Sequence, residues 1–283
     1  MFDIKIPLSQ LNIAAISNHQ SFESNKPKVI FLHGWLDNAA SFTDVLPAFN
    51  DYHVIAIDWP GHGMSDHKSK GAYYHFVDWV DDLYQVLKVT GWDKVHLVGH
   101  SMGGMIATAF SAAFPELVHT LSVIDAFGII SDDEKNTTKQ IKEGIESRFK
   151  QQNKSTKYHP DLASAVKARL AVSDFSIKEA KLIVERGVEQ TENGVVWRTD
   201  SRLRNVSPYR FTFGQAKQLM SDVQVPMLLI YGDKGMAFVS KMLEKFKPLV
   251  PQLEAIKLVG GHHVHMEQPD KTASYILSFI SAK

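Results

Sequence analysis

Val95-His96-Leu97-Val98-Gly99-His100-Ser101-Met102-Gly103-Gly104-Met105-Ile106-Ala107 is the stretch from which the rest of the chain is read. It opens as an apolar, β-branched run, the composition of a buried strand. It closes as Ala- and Met-containing sequence suited to a helix. Between the two stands Gly99-x-Ser101-x-Gly103. A serine flanked by glycines at a strand–helix junction is a nucleophile elbow. The turn is sharp enough to force the serine into a strained backbone conformation, so Gly99 and Gly103 leave space where any Cβ would clash. The hydroxyl then stands clear of the sheet, and the N-terminus of the following helix faces any negative charge that develops beside it.

Working outward, the same pattern of buried strand and amphipathic helix repeats on both sides. Lys28–Leu32, Val54–Ile57, Thr120–Ile124, Pro226–Tyr231 and Ala255–Val259 read as further buried strands. Phe2–Ile6 and Leu11–Ile16 alternate like two antiparallel strands at a sheet edge. Helices are expected at Ala39–Phe49, capped by Asp37 or Asn38, at Tyr73–Val89 closed by Gly91, and after the elbow as far as Pro115. Further helices are expected at Gln215–Ser221, Phe238–Phe246 and Pro269–Ile280. Between Ile129 and Arg210 the texture changes to short polar amphipathic segments (Lys139–Lys150, Asp161–Leu170, Ser176–Arg186) with no strand of the buried kind. That stretch is too long for a connection and is expected to be an inserted helical lid. The predicted fold class is therefore α/β, a mostly parallel eight-stranded sheet flanked by helices with a helical cap after the sixth strand. Residues 1–128 and 211–283 form the core and 129–210 the cap. In such sheets the site lies beyond the carboxyl ends of the strands, and Ser101, Asp125, Asp233 and His262 all sit just past predicted strand ends.

Bulk properties narrow the function classes. The 283 residues are 44% hydrophobic and 22% charged, ordinary for a globular chain with a sizeable core. Lys+Arg 31 balances Asp+Glu 31, so no global field recruits nucleic acid or an anionic membrane. Cysteine is absent, which excludes disulfides and thiolate metal sites. Met1–Lys5 lacks the pattern of a secretory signal, no apolar run is long enough to span a bilayer, and the cytoplasm is the expected compartment.

A serine hydroxyl needs a base, and the base needs a third group to orient it. Among 13 histidines, His33, His62 and His100 precede or adjoin the elbow and are expected to make structural hydrogen bonds. The cluster Gly260-Gly261-His262-His263-Val264-His265 follows the last strand. Three close histidines also raise a metal reading, but they lack the helical spacing or second cluster that zinc requires, so no metal and no cofactor is expected. His262 is the expected base, placed on a loop that the glycine pair leaves flexible and unobstructed.

These pieces together resemble the α/β-hydrolase superfamily from end to end. The matching residues are His33-Gly34-Trp35, Asp58-x-x-Gly61-His62-Gly63-x-Ser65, Gly99-His100-Ser101-Met102-Gly103-Gly104, and Gly261-His262 with Glu267 five residues on. Gly34-Trp35-Leu36-Asp37-Asn38 and Trp197-Arg198-x-Asp200-x-Arg202-Leu203 resemble its serine-hydrolase-like (kraken-type) branch. The resemblance implies Ser101 as nucleophile, His262 as general base and acid, and the backbone N–H groups of Trp35 and Met102 as the oxyanion hole. It also implies an acid three residues after the glycine ending the seventh strand, where this chain has Gly235. Asp233 and Asp125 are the alternatives. Asp125 is preferred, because a strand-end carboxylate followed by the small Ala126 can reach the His262 loop; a turn cap is the other reading of Asp125, and an Asx turn of Asp233.

The expected activity is that of a carboxylesterase-like serine hydrolase, cleaving a small carboxylic ester or thioester through an acyl-enzyme on Ser101. A carbon–carbon bond hydrolase, a cofactor-free haloperoxidase and a non-catalytic small-molecule binder on the same scaffold are the alternatives. Phe127, Phe149, Leu170, Phe175, Ile177, Leu182 and Trp197 either line a pocket for an apolar acyl group or pack the lid onto the core.

Overall fold

Eight strands form one sheet: β1 (Phe2–Pro7), β2 (Asn12–Ser17), β3 (Lys28–Leu32), β4 (His53–Ile57), β5 (Val95–His100), β6 (Val118–Ile124), β7 (Met227–Gly232) and β8 (Leu253–Leu258). They are seen in a computed structural model that describes residues 1–283. The order across the sheet is β1-β2-β4-β3-β5-β6-β7-β8. β1 pairs antiparallel with β2, and β2 antiparallel with β4; every later pairing is parallel. The central strands are buried along almost their whole length because helices cover both faces. In β3 the alternation is visible residue by residue: Ile30 and Leu32 enter one apolar core with Ile106 and Phe110, while Val29 and Phe31 enter the other with Ile276 and Phe279.

The helices longer than one turn are α1 (Phe76–Thr90), α2 (Met102–Ala113), α3 (Thr137–Gln152), α4 (Leu162–Leu170), α5 (Ile177–Gly187), α6 (Phe213–Ser221), α7 (Ala237–Phe246) and α8 (Pro269–Ser281). α1 begins three residues later than its apolar spacing suggests, because the His75 N–H is taken by the Asp78 carboxylate at 3.1 Å and fixes the first turn there. The helix expected over Ala39–Phe49 is instead two 3₁₀ turns, Ala39–Phe42 and Leu46–Ala48. Asn38 caps the first, accepting the Ala40 N–H at 3.0 Å. Pro47 has no N–H to extend a helical ladder, and Phe42, Val45, Leu46 and Phe49 are each drawn into the core.

The chain between β6 and β7 carries α3, α4 and α5, as the polar periodicity indicates, and also strands that it does not. Tyr158–His159, Gly194–Trp197 and Val188–Thr191 form a small antiparallel sheet. Where this segment leaves and rejoins the core, Ser131–Asp132 and Phe211–Thr212 lie side by side in parallel pairing. Its own apolar centre holds Ala165, Val166, Phe175, Ile183, Val184 and Val195, and Met266 from the C-terminal loop completes it. Two buried charge pairs dock it onto the core: Arg186 Nε to Asp58 Oδ2 at 2.9 Å, and Arg169 to Asp37. Of the seven residues weighed as pocket lining, Phe127 belongs to the main core, Phe175, Leu170, Leu182 and Trp197 pack within the segment, and Phe149 and Ile177 face solvent. No helix is long and apolar enough to cross a membrane.

Candidate active site

Ser101 joins β5 to α2 with φ 50° and ψ −119°, a conformation that an L-residue holds only when its surroundings impose it. The imposition is visible on either side. A Cβ on Gly99 would lie 2.6 Å from the Gly103 backbone, and one on Gly103 would strike the Leu32 carbonyl and approach that of His33 to 2.7 Å. The Ser101 N–H is donated to the Ile124 carbonyl at 3.0 Å, so the end of β6 holds the turn in place.

The His262 ring bridges this serine to a carboxylate. Its Nε2 lies 2.9 Å from Ser101 Oγ, and its Nδ1 2.6 Å from Asp125 Oδ2. Asp125 is 1% exposed, and its backbone sits in the left-handed region at φ 43°. The Met236 N–H also donates to Asp125 Oδ2, at 2.9 Å. Asp233 goes elsewhere: its Oδ1 accepts the Gly260 N–H at 2.9 Å and reaches no side chain of the histidine loop. Of the two carboxylates weighed, the structure brings Asp125 to His262. Gly235 is the reason that this is possible, since a Cβ there would collide with the Asp125 carboxylate. The position that lacks an acid is the space that the other acid fills.

Met102 directly follows Ser101 as the first residue of α2, and the loop that carries Trp35 packs against the elbow. Gly34 abuts the His100 ring, where a Cβ would come within 2.9 Å of Nδ1, and the Leu32 and His33 carbonyls press on Gly103 in the first turn of α2. His33 locks this loop, its Nδ1–H donating to the Gly34 carbonyl at 2.7 Å and its Nε2 accepting the Trp59 N–H at 2.9 Å. Burial pushes the His33 pKa down to about 4, consistent with a neutral ring of that tautomer. The N–H groups of Trp35 and Met102 have no partner among the turn, loop and side-chain acceptors of the chain.

The chain matches the α/β-hydrolase fold family across residues 27–269. The chain belongs to that family. Within it, the chain falls in the serine-hydrolase-like branch. It is 28% identical over 263 residues to the serine hydrolase-like protein of Danio rerio, covering 89% of this chain and 81% of that one. It is 25% identical over 284 residues to the 2-(acetamidomethylene)succinate hydrolase of Mesorhizobium japonicum, covering 96% and 95%. A crystal structure of a hypothetical protein from Pseudomonas aeruginosa PAO1 superimposes with a TM-score of 0.90 at 31% identity, covering 100% of this chain and 99% of that one.

This hydrolase holds its histidine loop by means that the sequence does not announce. Three successive N–H groups are each given to a different carboxylate: Gly260 to Asp233, Gly261 to Glu267 Oε1 at 2.7 Å, and His262 to Asp174. The glycine pair therefore does not leave the loop free. It admits carboxylates to the backbone, and the loop is pinned. Beside it, His263 Nδ1 lies 2.6 Å from Asp174 Oδ1, and its Nε2 3.3 Å from Asp37 Oδ2. Burial opposes a charge on His263, but Asp37 and Asp174 on either side outweigh it and raise its pKa to about 9. Burial likewise works against the charge of both carboxylates, and the His263 ring holds each well below the usual carboxylate range.

The three neighbouring histidines thus have three environments. His262 faces Ser101 and Asp125, His263 bridges two carboxylates, and His265 is fully buried between Phe42 and His100 at ring distances of 5.1 Å and 4.4 Å. Burial lowers the His265 pKa to about 3. His62 Nδ1–H donates to the Pro60 carbonyl at 3.2 Å, and His100 Nε2–H to the His262 carbonyl at 3.0 Å. Asp37, His100 and His263 offer buried ligand atoms within 4.8 Å of one another. Arg169 on Asp37 and Asp174 on His263 make this group a balanced ion-pair network, with a cationic guanidinium where a second-shell acceptor would favour a metal.

Proposed function

We propose that the chain is a serine hydrolase that cleaves small carboxylic esters or thioesters. The observation that carries this reading is the continuous Asp125–His262–Ser101 relay, with contacts of 2.6 Å and 2.9 Å. In this reading His262 Nε2 takes the Ser101 hydroxyl proton as Oγ attacks the acyl carbonyl carbon. The carbonyl π electrons move onto oxygen, and the Trp35 and Met102 N–H groups receive that oxyanion. Collapse breaks the bond to the alcohol or thiol, which leaves with the proton from His262. Water then repeats the sequence on the acyl-enzyme and frees the acid. Asp125 fixes the ring so that Nε2 faces the serine, and it stabilises the imidazolium as it forms. Residues 129–210 serve as the lid over this site, and the acyl group is apolar and small.

The test is turnover of p-nitrophenyl esters of increasing chain length, together with fluorophosphonate labelling. Ser101→Ala is expected to lose both, with kcat falling on the order of 10⁴-fold or more. Activity retained near the unmodified level would overturn the nucleophile assignment. Absence of both hydrolysis and labelling in the unmodified chain would favour a non-catalytic binder. The Mesorhizobium relative is named for an acetamidomethylene acid rather than an ester. That name favours a second reading, hydrolysis of the amide bond of an acetamido-substituted acid, and such amides belong in the same screen.

A further inference from the structure

We infer that Asp174 is a positioning residue for His262, and that it makes the reactive geometry depend on the seating of the 129–210 segment; this rests on the serine hydrolase reading above. Asp174 lies between α4 and α5, 88 residues before the backbone N–H that it receives. Of the three carboxylates that take the loop N–H groups, it alone comes from the inserted segment, and it alone holds His262 itself. Gly261 has no side chain where a Cβ would collide with the Asp174 carboxylate, so the core is shaped to admit it.

The grip continues past the histidine loop. Asp174 Oδ1 engages His263, the other ring nitrogen of His263 faces Asp37, and the second oxygen of Asp37 takes Arg169 from α4. Asp37 stands two residues beyond Trp35 in the loop beside the elbow. One segment therefore holds the base loop through Asp174 and the Trp35 loop through Arg169, with His263 joining them. The groups facing His263 are Asp37, Asp174, the rings of His100, His262 and His265, and the edge of Phe175 at 4.6 Å. Two carboxylates, one guanidinium and one imidazolium balance in a space where Asp37 and His263 are nearly inaccessible. Removing one member leaves its partner's charge buried and unmatched. Displacing the segment would remove the Asp174 acceptor from His262 and the Arg169 partner from Asp37 together, while the core contacts of Gly260 and Gly261 stay in place.

The experiment compares Asp174→Ala and Asp174→Asn with the unmodified chain in three measurements. The first is the pH profile of kcat and KM on p-nitrophenyl acetate. The second is the low-field proton resonance of His262 Nδ1–H, assigned by its loss in His262→Gln. The third is the rate of limited proteolysis within 129–210. Asp174→Ala is expected to lower kcat about 100-fold, as misplacement of a reacting group does. KM should change less than about 3-fold, while the low-field resonance shifts or broadens and proteolysis quickens. Asp174→Asn keeps an acceptor for the His262 N–H and is expected to fall between, which separates mispositioning from collapse of the fold. Unchanged kcat and an unchanged resonance in both variants would overturn the inference, as would a rise in KM alone. The resonance is read without substrate, so it decides the positioning role even if Ser101 proves not to be the nucleophile; loss of labelling at Ser101 in the unmodified chain is the separate failure of that reading.

Discussion

The turns that follow β6 and β7 have exchanged properties. After β6 the chain places an acid, Asp125, in a left-handed conformation that glycine would adopt with less strain. After β7 it places a glycine, Gly235, where the resemblance to the family leads one to expect the acid. The two positions occupy one space, because the Asp125 carboxylate lies where a side chain on residue 235 would go. A site can therefore keep its geometry while the residue that supplies it moves to a neighbouring strand. The requirement is a carboxylate oxygen at the imidazole, not a carboxylate at a given place in the sequence.

The largest effect that sharpens this contrast is expected from Asp125→Asn, which offers the ring the wrong hydrogen-bonding pattern and should lower kcat on the order of 10⁴-fold in a steady-state ester assay. A loss below 10-fold would return the acid role to the other turn. Next, Gly235→Ala forces a methyl group into the Asp125 carboxylate; kcat should fall about 100-fold, with about 1–3 kcal/mol lost from stability in urea unfolding. The pair Asp125→Gly with Gly235→Asp tests the exchange itself and should recover activity that Asp125→Gly alone abolishes; no recovery would show that the two turns are not interchangeable.

A smaller effect concerns the loop onto which both turns converge. The His263 pKa is raised in the folded chain from 6.5 to about 9. Its contribution to stability is therefore complete below about pH 6.5 and is lost as pH rises through 9. The interval corresponds to about 3 kcal/mol, so Tm should decline between pH 7 and 10 and this decline should disappear in His263→Gln. Parallel curves for the two proteins would remove His263 from the account. The smallest effect is expected from Asp233→Asn, which retains an acceptor for the Gly260 N–H: about 1 kcal/mol of stability or less, and less than 3-fold in kcat.

The elbow, the sheet and the candidate base are legible because each is written in local sequence. β5 is a buried run dominated by Val and Leu, Ser101 is bracketed by glycines, and His262 follows the last strand. Asp174 carries no such mark. It sits in a polar stretch, and only the folded chain reveals that its partner is 88 residues away. Gly235 is similarly mute, because the reason for a glycine can be the atom it makes room for rather than the turn it permits. The strand Val188–Thr191 has no signature in the sequence, because Glu189 and Gln190 are exposed and leave no buried alternation. The helix expected at Ala39–Phe49 fails for the opposite reason: Phe42, Val45, Leu46 and Phe49 are all buried, but their spacing serves two tight turns, the second of which holds Pro47.

The short parallel pairing of Ser131–Asp132 with Phe211–Thr212 has a consequence for how this architecture can vary. It brings the two ends of the insertion together at a neck, so the sheet meets adjacent chain ends rather than a long span to be closed. The entropy of closing that loop grows only slowly with its length, and the neck fixes the distance between its ends whatever lies beyond. Residues can be gained, lost or exchanged past the neck while β6 and β7 stay in register. The register of β6 and β7 is in this sense independent of the length between them, whereas Asp174, Arg169 and Arg186 tie the contents of that length to the loops of the core.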